Sequence, residues 1–135
     1  METAVLSKRV WLYIINLIFH LGVSFGGASP FLIILHFHLL YYILISLGIA
    51  IIFSFIFDFL LMIITHGYTL GSALVGVKYV ASNGQKITKG QAFLRSGSET
   101  LVIFALIDLL YLIINRTERG AIDRLSDSFA IDIRR

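Results

Sequence analysis

Residues 40–64 read LYYILISLGIAIIFSFIFDFLLMII, and Asp58 is the only charged side chain among them. An α-helix rises about 1.5 Å per residue, so about 20 residues are needed to cross a hydrocarbon core of about 30 Å. The stretch exceeds that length and is apolar almost throughout. We therefore predict a transmembrane helix over about residues 40–64. Tyr41 and Tyr42 should lie near the membrane interface, where amphipathic rings are favoured.

The apolar character extends well beyond this helix, because residues 10–77 contain no lysine or arginine and no carboxylate other than Asp58. The 135-residue chain is 58% hydrophobic, with a mean hydropathy of +0.90. Its charged fraction is 14%, well below the roughly 25% of a soluble domain. A soluble fold is therefore excluded. The length fits a single domain, residues 1–135, and the absence of cysteine excludes disulfides and thiolate metal sites.

A first span is predicted over about residues 10–26, which are apolar apart from three polar side chains. Turn signals follow it at Gly26, Gly27, Ser29 and Pro30. Residues 31–38, with their aromatic rings and histidines, are expected to run along the interface into the second span. A cleaved signal peptide has a similar basic start, apolar run and small residues, but the chain that remained would still be strongly apolar.

The segment after the second span has strand character. Residues 77–80 are rich in strand-forming types, and Asn83-Gly84 is a strong hairpin signal, because both positions can take φ > 0. We predict a β-hairpin over about residues 73–88, with its return strand beginning at Ile87.

A third apolar segment, about residues 99–114, is short for a membrane crossing. It either spans the membrane or enters and leaves on one side. Residues 129–133 alternate in polarity and predict a C-terminal strand, which can pair with the hairpin if the third segment is re-entrant. The predicted fold is an all-α integral membrane protein with two transmembrane helices, a short third helix, a small cytoplasmic β-hairpin and a C-terminal strand.

The basic residues predict the orientation. Lys8 and Arg9 precede the first span and favour a cytoplasmic N-terminus. Two crossings return the chain to the cytoplasm, where Lys78, Lys86 and Lys89 occur. The two signals agree, so we expect a multi-pass protein of the cell membrane whose basic residues contact acidic lipid head groups.

A polar stripe is predicted on the first span, because Arg9, Tyr13, Asn16 and His20 share one helical face. Lipid cannot satisfy these groups, so the stripe should face protein or water. It either forms a packing interface with a neighbouring helix or lines a functional site.

Two acids lie in apolar surroundings. An ionised aspartate at mid-bilayer costs at least about 2.5 kcal/mol, so Asp58 should be protonated, paired or near water. It either pairs with a loop cation such as Arg95 or forms an ion or proton site, and the same alternatives apply to Asp108. The transport candidates are therefore Asp58, Asp108 and His20. Asn16 is a polar candidate on the same stripe, although an amide cannot titrate.

Three short motifs in the expected order resemble the RDD family of small prokaryotic integral membrane proteins. The first motif is Arg9 with Asn16, where the family has an aspartate. The second comprises Gly67, Thr69, Gly71 and Gly76, followed by the hairpin and Arg95. The third comprises Arg119, Asp123 and Arg124. The resemblance covers nearly the whole chain and implies a membrane architecture, for which a transport role has been suggested.

Two functions are compatible with these patterns. The first is a small cation, proton-coupled or small-solute transporter, expected to be a homo-oligomer because two or three helices enclose little pore. The alternative is a non-transporting scaffold or accessory subunit that docks a membrane partner through the hairpin and tail, a partner that should be lost when Arg95 or Asp123 is changed. We also expect Asp123 to lock hairpin to tail by accepting a bidentate bond from one arginine. No enzymatic activity, catalytic residue, cofactor, metal site or nucleic-acid partner is expected.

Overall fold

The computed structural model describes residues 6–34, 38–115 and 119–133. The elements, in chain order, are α1 (Leu6–Ile34), α2 (Leu39–Thr65), α3 (Leu70–Val75), β1 (Val77–Ala81), α4 (Lys89–Thr100), α5 (Val102–Asn115), α6 (Ala121–Leu125) and β2 (Ser128–Asp132). The two long helices pack against each other, while β1, β2, α3 and α6 gather at one end of them.

Within the described ranges, two helices are long and apolar enough to cross a membrane, Leu6–Gly27 and Leu39–Thr65. They confirm the two predicted spans. Many of their leucine and isoleucine side chains are exposed on the outer faces, where lipid can cover them.

The turn predicted at Gly26 to Pro30 is wrong, because α1 continues to Ile34 with Pro30 inside it. Proline cannot donate to the carbonyl four residues earlier, which here belongs to Gly26. The hydroxyl of Ser29 donates to that carbonyl oxygen at 3.0 Å, a substitution that membrane helices commonly use around proline. Of the predicted interfacial segment, residues 31–34 are helical and residues 35–37 lie outside the described residues.

The buried face of α2 consists of small or polar residues spaced four apart, followed by one methionine. They are Ser46, Ala50, Ser54, Asp58 and Met62. Because residues four apart share a helical face, they form one continuous strip. Small residues let membrane helices approach closely, and α2 packs on both α1 and α4. From the strip, Asp58 contacts His20 of α1 and Met62 contacts Ser96 of α4.

The sheet differs from the predicted hairpin. The Asn83-Gly84 turn is present, with Gly84 at φ +79° and its N–H donating to the carbonyl of Ala81 at 2.8 Å. The return arm, however, is a single bridge between Val80 and Lys86. The reason is that Thr88 caps α4, so the chain becomes helical where the second strand was expected.

The strand that pairs with β1 is the C-terminal β2. The two are antiparallel, from Val77 opposite Asp132 to Ala81 opposite Ser128. Residues 73–75, assigned to the hairpin from sequence, belong to α3 instead. The predicted C-terminal strand is therefore present, and its partner is the first arm of the predicted hairpin.

The third segment is longer than predicted and is bent. Helices α4 and α5 meet at a bend of 96°. By its shape alone, the pair is either a broken transmembrane span or a re-entrant loop. Helix α4 lies along α2, where the ring of Phe93 meets Phe55 and Phe59 edge-on at 5.1 and 5.8 Å between centroids.

Contacts at the ends of this pair decide between the two shapes. Strand β2, which follows α5, pairs with β1, which follows α2. Lys8, at the start of α1, lies 2.5 Å from a carboxylate oxygen of Asp132 in β2. The start of α1, the end of α2 and the tail are thus at one end of the two spans. We infer that α4 and α5 enter and leave on the same side.

This inference predicts the sidedness of introduced cysteines, for which the chain has no native background. Asn83→Cys and Ile133→Cys, both at exposed positions, should react with a membrane-impermeant maleimide from one side of the membrane. His38→Cys, in the connection between α1 and α2, should react from the other side. If Ile133→Cys reacts from the same side as His38→Cys, α4 and α5 cross the membrane and the re-entrant arrangement is wrong.

Candidate functional site

Asp123 joins the N-terminal helix, α4 and the tail through two arginines. One carboxylate oxygen lies 2.6 Å from Nη1 of Arg9 and the other 2.8 Å from Nη2 of Arg95. All three residues are at most 2% exposed. The sequence predicted a bidentate bond from one arginine, whereas each oxygen has a guanidinium of its own. Burial alone would raise the pKa of Asp123, but Arg95 and Arg9 hold it below its ordinary value.

The guanidinium of Arg95 is shared further. It lies 3.7 Å above the ring centroid of Tyr79, and its Nε is 2.8 Å from Oε1 of Glu99, four residues along α4. Cation–π contacts of this kind stabilise a desolvated guanidinium. Burial raises the pKa of Tyr79 well above its ordinary value, so its hydroxyl stays neutral.

Asp108 connects three helices through its carboxylate. Its carboxylate accepts from the hydroxyl of Tyr13 at 2.8 Å and from the backbone N–H of Ile122 at 2.8 Å, with Nη1 of Arg9 at 4.0 Å. The residue is fully buried. These contacts tie α5 to α1 and to α6.

Asn16 connects the first two motifs. Its Oδ1 accepts from the N–H of Gly71 at 2.7 Å, and its Nδ2 donates to Oγ1 of Thr69 at 3.3 Å. A Cβ on Gly71 would come within 2.5 Å of the carbonyl oxygen of Leu12, so only glycine fits this approach. Asn16 therefore serves packing between α1 and α3.

Each of the other motif residues has its own local contact or backbone role. Gly67 has φ +120°, and a Cβ there would clash with the carbonyl oxygen of Tyr79. Gly76 ends α3 in the left-handed region. The guanidinium of Arg119 lies 4.6 Å from the ring centroid of Phe129, and that of Arg124 lies 5.4 Å from the ring centroid of Tyr111.

The polar stripe on α1 faces protein, with Arg9, Asn16 and His20 at 2%, 7% and 6% exposure. Nε2 of His20 lies 3.1 Å from Oδ2 of Asp58 on α2. Of the alternatives for Asp58, the ion pair with Arg95 is not found among the described residues, because Arg95 contacts Asp123 and Glu99.

The His20–Asp58 pair is incompletely satisfied. Nδ1 of His20 and Oδ1 of Asp58 are buried, and neither has a hydrogen-bond partner among the described residues. The rings of Phe19, Phe53 and Phe57 surround the imidazole at centroid distances of 5.4 to 6.1 Å. Unpaired buried polar atoms are costly and therefore mark this pair for a functional explanation.

A cavity of about 600 Å³ lies beside the pair, bounded by α1, α2, the end of α4 and α5. Asn16, His20 and Asp58 line it, as does Glu99, which the sequence did not single out. Asp108 is not among the residues that line it. The signal that could have found Glu99 is its position four residues after Arg95 on one helix, the spacing of a helical ion pair.

The chain matches the family model described as "RDD family" over residues 3–127, nearly its whole length. No curated protein matches the chain. No solved structure matches it either.

The geometry at Asp123 predicts a large loss of stability when its charge is removed. Asp123→Asn leaves two buried guanidiniums without their shared carboxylate, and breaking such a buried pair costs about 3–5 kcal/mol. Thermal unfolding of the purified protein in detergent at neutral pH measures this. Asp127→Asn is the matched control, because Asp127 bonds Ser82 at the exposed surface.

The pH dependence follows from the direction of the pKa shift. Because folding lowers the pKa of Asp123, its stabilisation is present above the unfolded value of about 3.9 and is lost as the pH falls through the folded value. The gap between wild type and Asp123→Asn should therefore be largest near neutral pH and shrink below about pH 4. If Asp123→Asn differs little in stability from wild type at neutral pH, or no more than Asp127→Asn does, Asp123 does not hold the three elements together.

Proposed function

The chain belongs to the RDD family, and we propose that this member is a proton-coupled transporter of a cation or another small solute. The observation that carries the proposal is the pair His20–Asp58, buried between the two spans and adjoining a cavity. An ionisable pair inside a membrane span is costly unless it serves a purpose.

The chemistry of the pair suits proton exchange. Imidazole and carboxylate share one hydrogen-bonded contact at 3.1 Å, and each has a second buried polar atom that finds no partner among the described residues. A cation that arrives beside Asp58 competes with the proton held there. Loading one then releases the other, which is the simplest form of coupling.

The charges around the cavity support the same conclusion. The described residues include four buried carboxylates, on Asp58, Glu99, Asp108 and Asp123, and two buried guanidiniums, on Arg9 and Arg95. Four minus two leaves a surplus of two negative charges, or of one when His20 is protonated. A low-dielectric interior does not hold such a surplus uncompensated, so a proton or a cation must supply the missing charge.

The remaining features of the proposal concern the setting in the cell. We place the chain in the cell membrane with its N-terminus in the cytoplasm, because Lys8, Lys78, Lys86 and Lys89 then lie on the side favoured for basic residues. There they can contact acidic lipid head groups. Two spans and a re-entrant pair enclose little space, so a homo-oligomer is the working form.

The scaffold alternative docks a partner through the hairpin and the tail, and it expects the partner to be lost when Arg95 or Asp123 is changed. Both side chains are at most 1% exposed and are paired with each other. That burial argues against docking through these two residues and favours transport.

The test is flux in liposomes that contain the purified protein and a pH-sensitive dye inside. A cation gradient should drive proton movement, and Asp58→Asn should abolish it by removing the group that exchanges the proton. Asp127→Asn, at the exposed surface, should leave the flux unchanged. Equal flux in wild type and Asp58→Asn would overturn the role of Asp58, and no proton flux in wild type with any of the alkali cations or organic cations would overturn transport itself.

A further inference from the structure

The cavity beside His20 and Asp58 has the size of a small-molecule site. Its volume of about 600 Å³ falls in the range of about 300–1,000 Å³ typical of ligand pockets. Its walls come from several helices, and most of the residues that form them are apolar. Examples are Leu17, Leu21, Leu47, Ile51, Ile103 and Phe104.

The polar groups of the cavity are few and include two acids. Asp58 and Glu99 contribute carboxylates, and Asn16, His20 and Ser54 contribute neutral or titratable groups. Arg95, the cationic side chain that contacts Glu99, is also shared with Asp123. Oδ1 of Asp58 is buried without a hydrogen-bond partner among the residues described. The cavity therefore combines apolar walls with two carboxylates, and the one guanidinium beside them is shared with a third.

This combination fits some cations and not others. A small inorganic ion requires several oxygen ligands arranged around it, and no group of three or more His, Cys, Asp or Glu side chains in the described ranges could hold a metal ion. A cation with an apolar exterior requires a different site. Its rings or alkyl groups need an apolar wall, and its charge needs a nearby carboxylate. Phe104 also lines the cavity, and the face of an aromatic ring attracts a positive charge.

We propose that the cavity binds a lipophilic organic monocation, such as a protonated hydrophobic amine or a quaternary onium ion. Its charge lies toward Asp58 and Glu99, and its apolar groups lie against α1, α2 and α5. As a statement about cargo, this inference rests on the proposed transport function. Binding of the cation to the cavity is measured directly, without a flux assay.

The experiment is titration calorimetry of the wild-type protein in nanodiscs of neutral lipid, with empty nanodiscs subtracted. The probes are tetraphenylphosphonium, an organic monocation, and tetraphenylborate, an anion of nearly the same size and shape. We expect saturable binding of the cation and none of the anion. Equal binding of both probes would show an apolar cavity that takes lipid-like molecules without regard to charge, and no binding of either would show no such site. Both results overturn the proposal.

Two variants separate charge from space. Asp58→Asn removes one carboxylate and should weaken tetraphenylphosphonium binding about tenfold or more, a loss of about 1.4 kcal/mol. Ala105→Phe fills part of the cavity lined by Ala105 and should weaken binding while leaving every charge in place. Asp127→Asn is the control for each. Unchanged affinity in both Asp58→Asn and Ala105→Phe would place the bound cation elsewhere and overturn the proposal. If one of the two variants is too unstable to measure, unchanged affinity in the other overturns it as well.

The outcomes also distinguish this inference from transport. Asp58-dependent proton flux driven by alkali cations, with no tetraphenylphosphonium binding, would overturn the inference and leave the proposed function intact. Charge-selective binding without flux would do the reverse.

Discussion

Asp123 lies between two guanidiniums in a part of the protein where water has little access. Its oxygens contact Arg9 on α1 and Arg95 on α4, at 2.6 and 2.8 Å. Separating buried charges of this kind is far more costly than breaking a surface pair, so the start of the first span, the re-entrant pair and the tail are held in one arrangement. The sheet between β1 and β2 and the contact of Lys8 with Asp132 reinforce the same junction. The cavity exists because this junction returns α5 beside α1.

The same junction leaves the interior with unequal charge. Asp123 uses both arginines, and Glu99 shares one of them, so within the described part of the chain Asp58 has only His20 as a partner. Asp108 is satisfied largely by a tyrosine hydroxyl and a backbone N–H. The structural requirement for two arginines at the junction thus produces a nearby site that lacks positive charge. Stability at one end of the helices and the proposed binding of a proton or cation in the cavity would then be two consequences of one distribution of charges.

Much of this arrangement could be predicted from local pattern. The hydropathy of residues 10–77 was sufficient for the two spans, and the spacing of Arg9, Asn16 and His20 was sufficient for a buried polar face. The extension of α1 through Pro30 was missed because a single hydroxyl, on Ser29, satisfies the freed carbonyl. Such a rescue depends on local geometry that composition does not carry. The third segment was placed correctly, but its length and its bend were not.

Partners distant in sequence were the main failure. The turn at Asn83-Gly84 predicted a return strand from Ile87, but the return arm is a single bridge. The ladder of β1 is with β2, about fifty residues later, a pairing that the sequence allowed only for a re-entrant third segment. For Asp58 the sequence left open a loop cation such as Arg95 or an ion or proton site, while its partner in the structure is His20, 38 residues earlier on α1. Glu99 received no role because its neighbours in sequence are polar. Each case depends on which helices pack together, and tertiary packing decides that after the local pattern has been satisfied.

The proposed site depends on the excess of buried carboxylates over buried guanidiniums, and infrared spectroscopy of the protein in neutral lipid measures whether a proton compensates it. At neutral pH, with Tris as the buffer cation, the carbonyl stretch of a protonated carboxylic acid should be present, since at least one of the four buried carboxylates needs a proton. The band should weaken in Asp58→Asn or in Glu99→Gln and remain in Asp127→Asn. A wild-type spectrum without such a band, together with unchanged spectra in both variants, would mean that the interior tolerates the surplus or balances it otherwise, and would contradict the account.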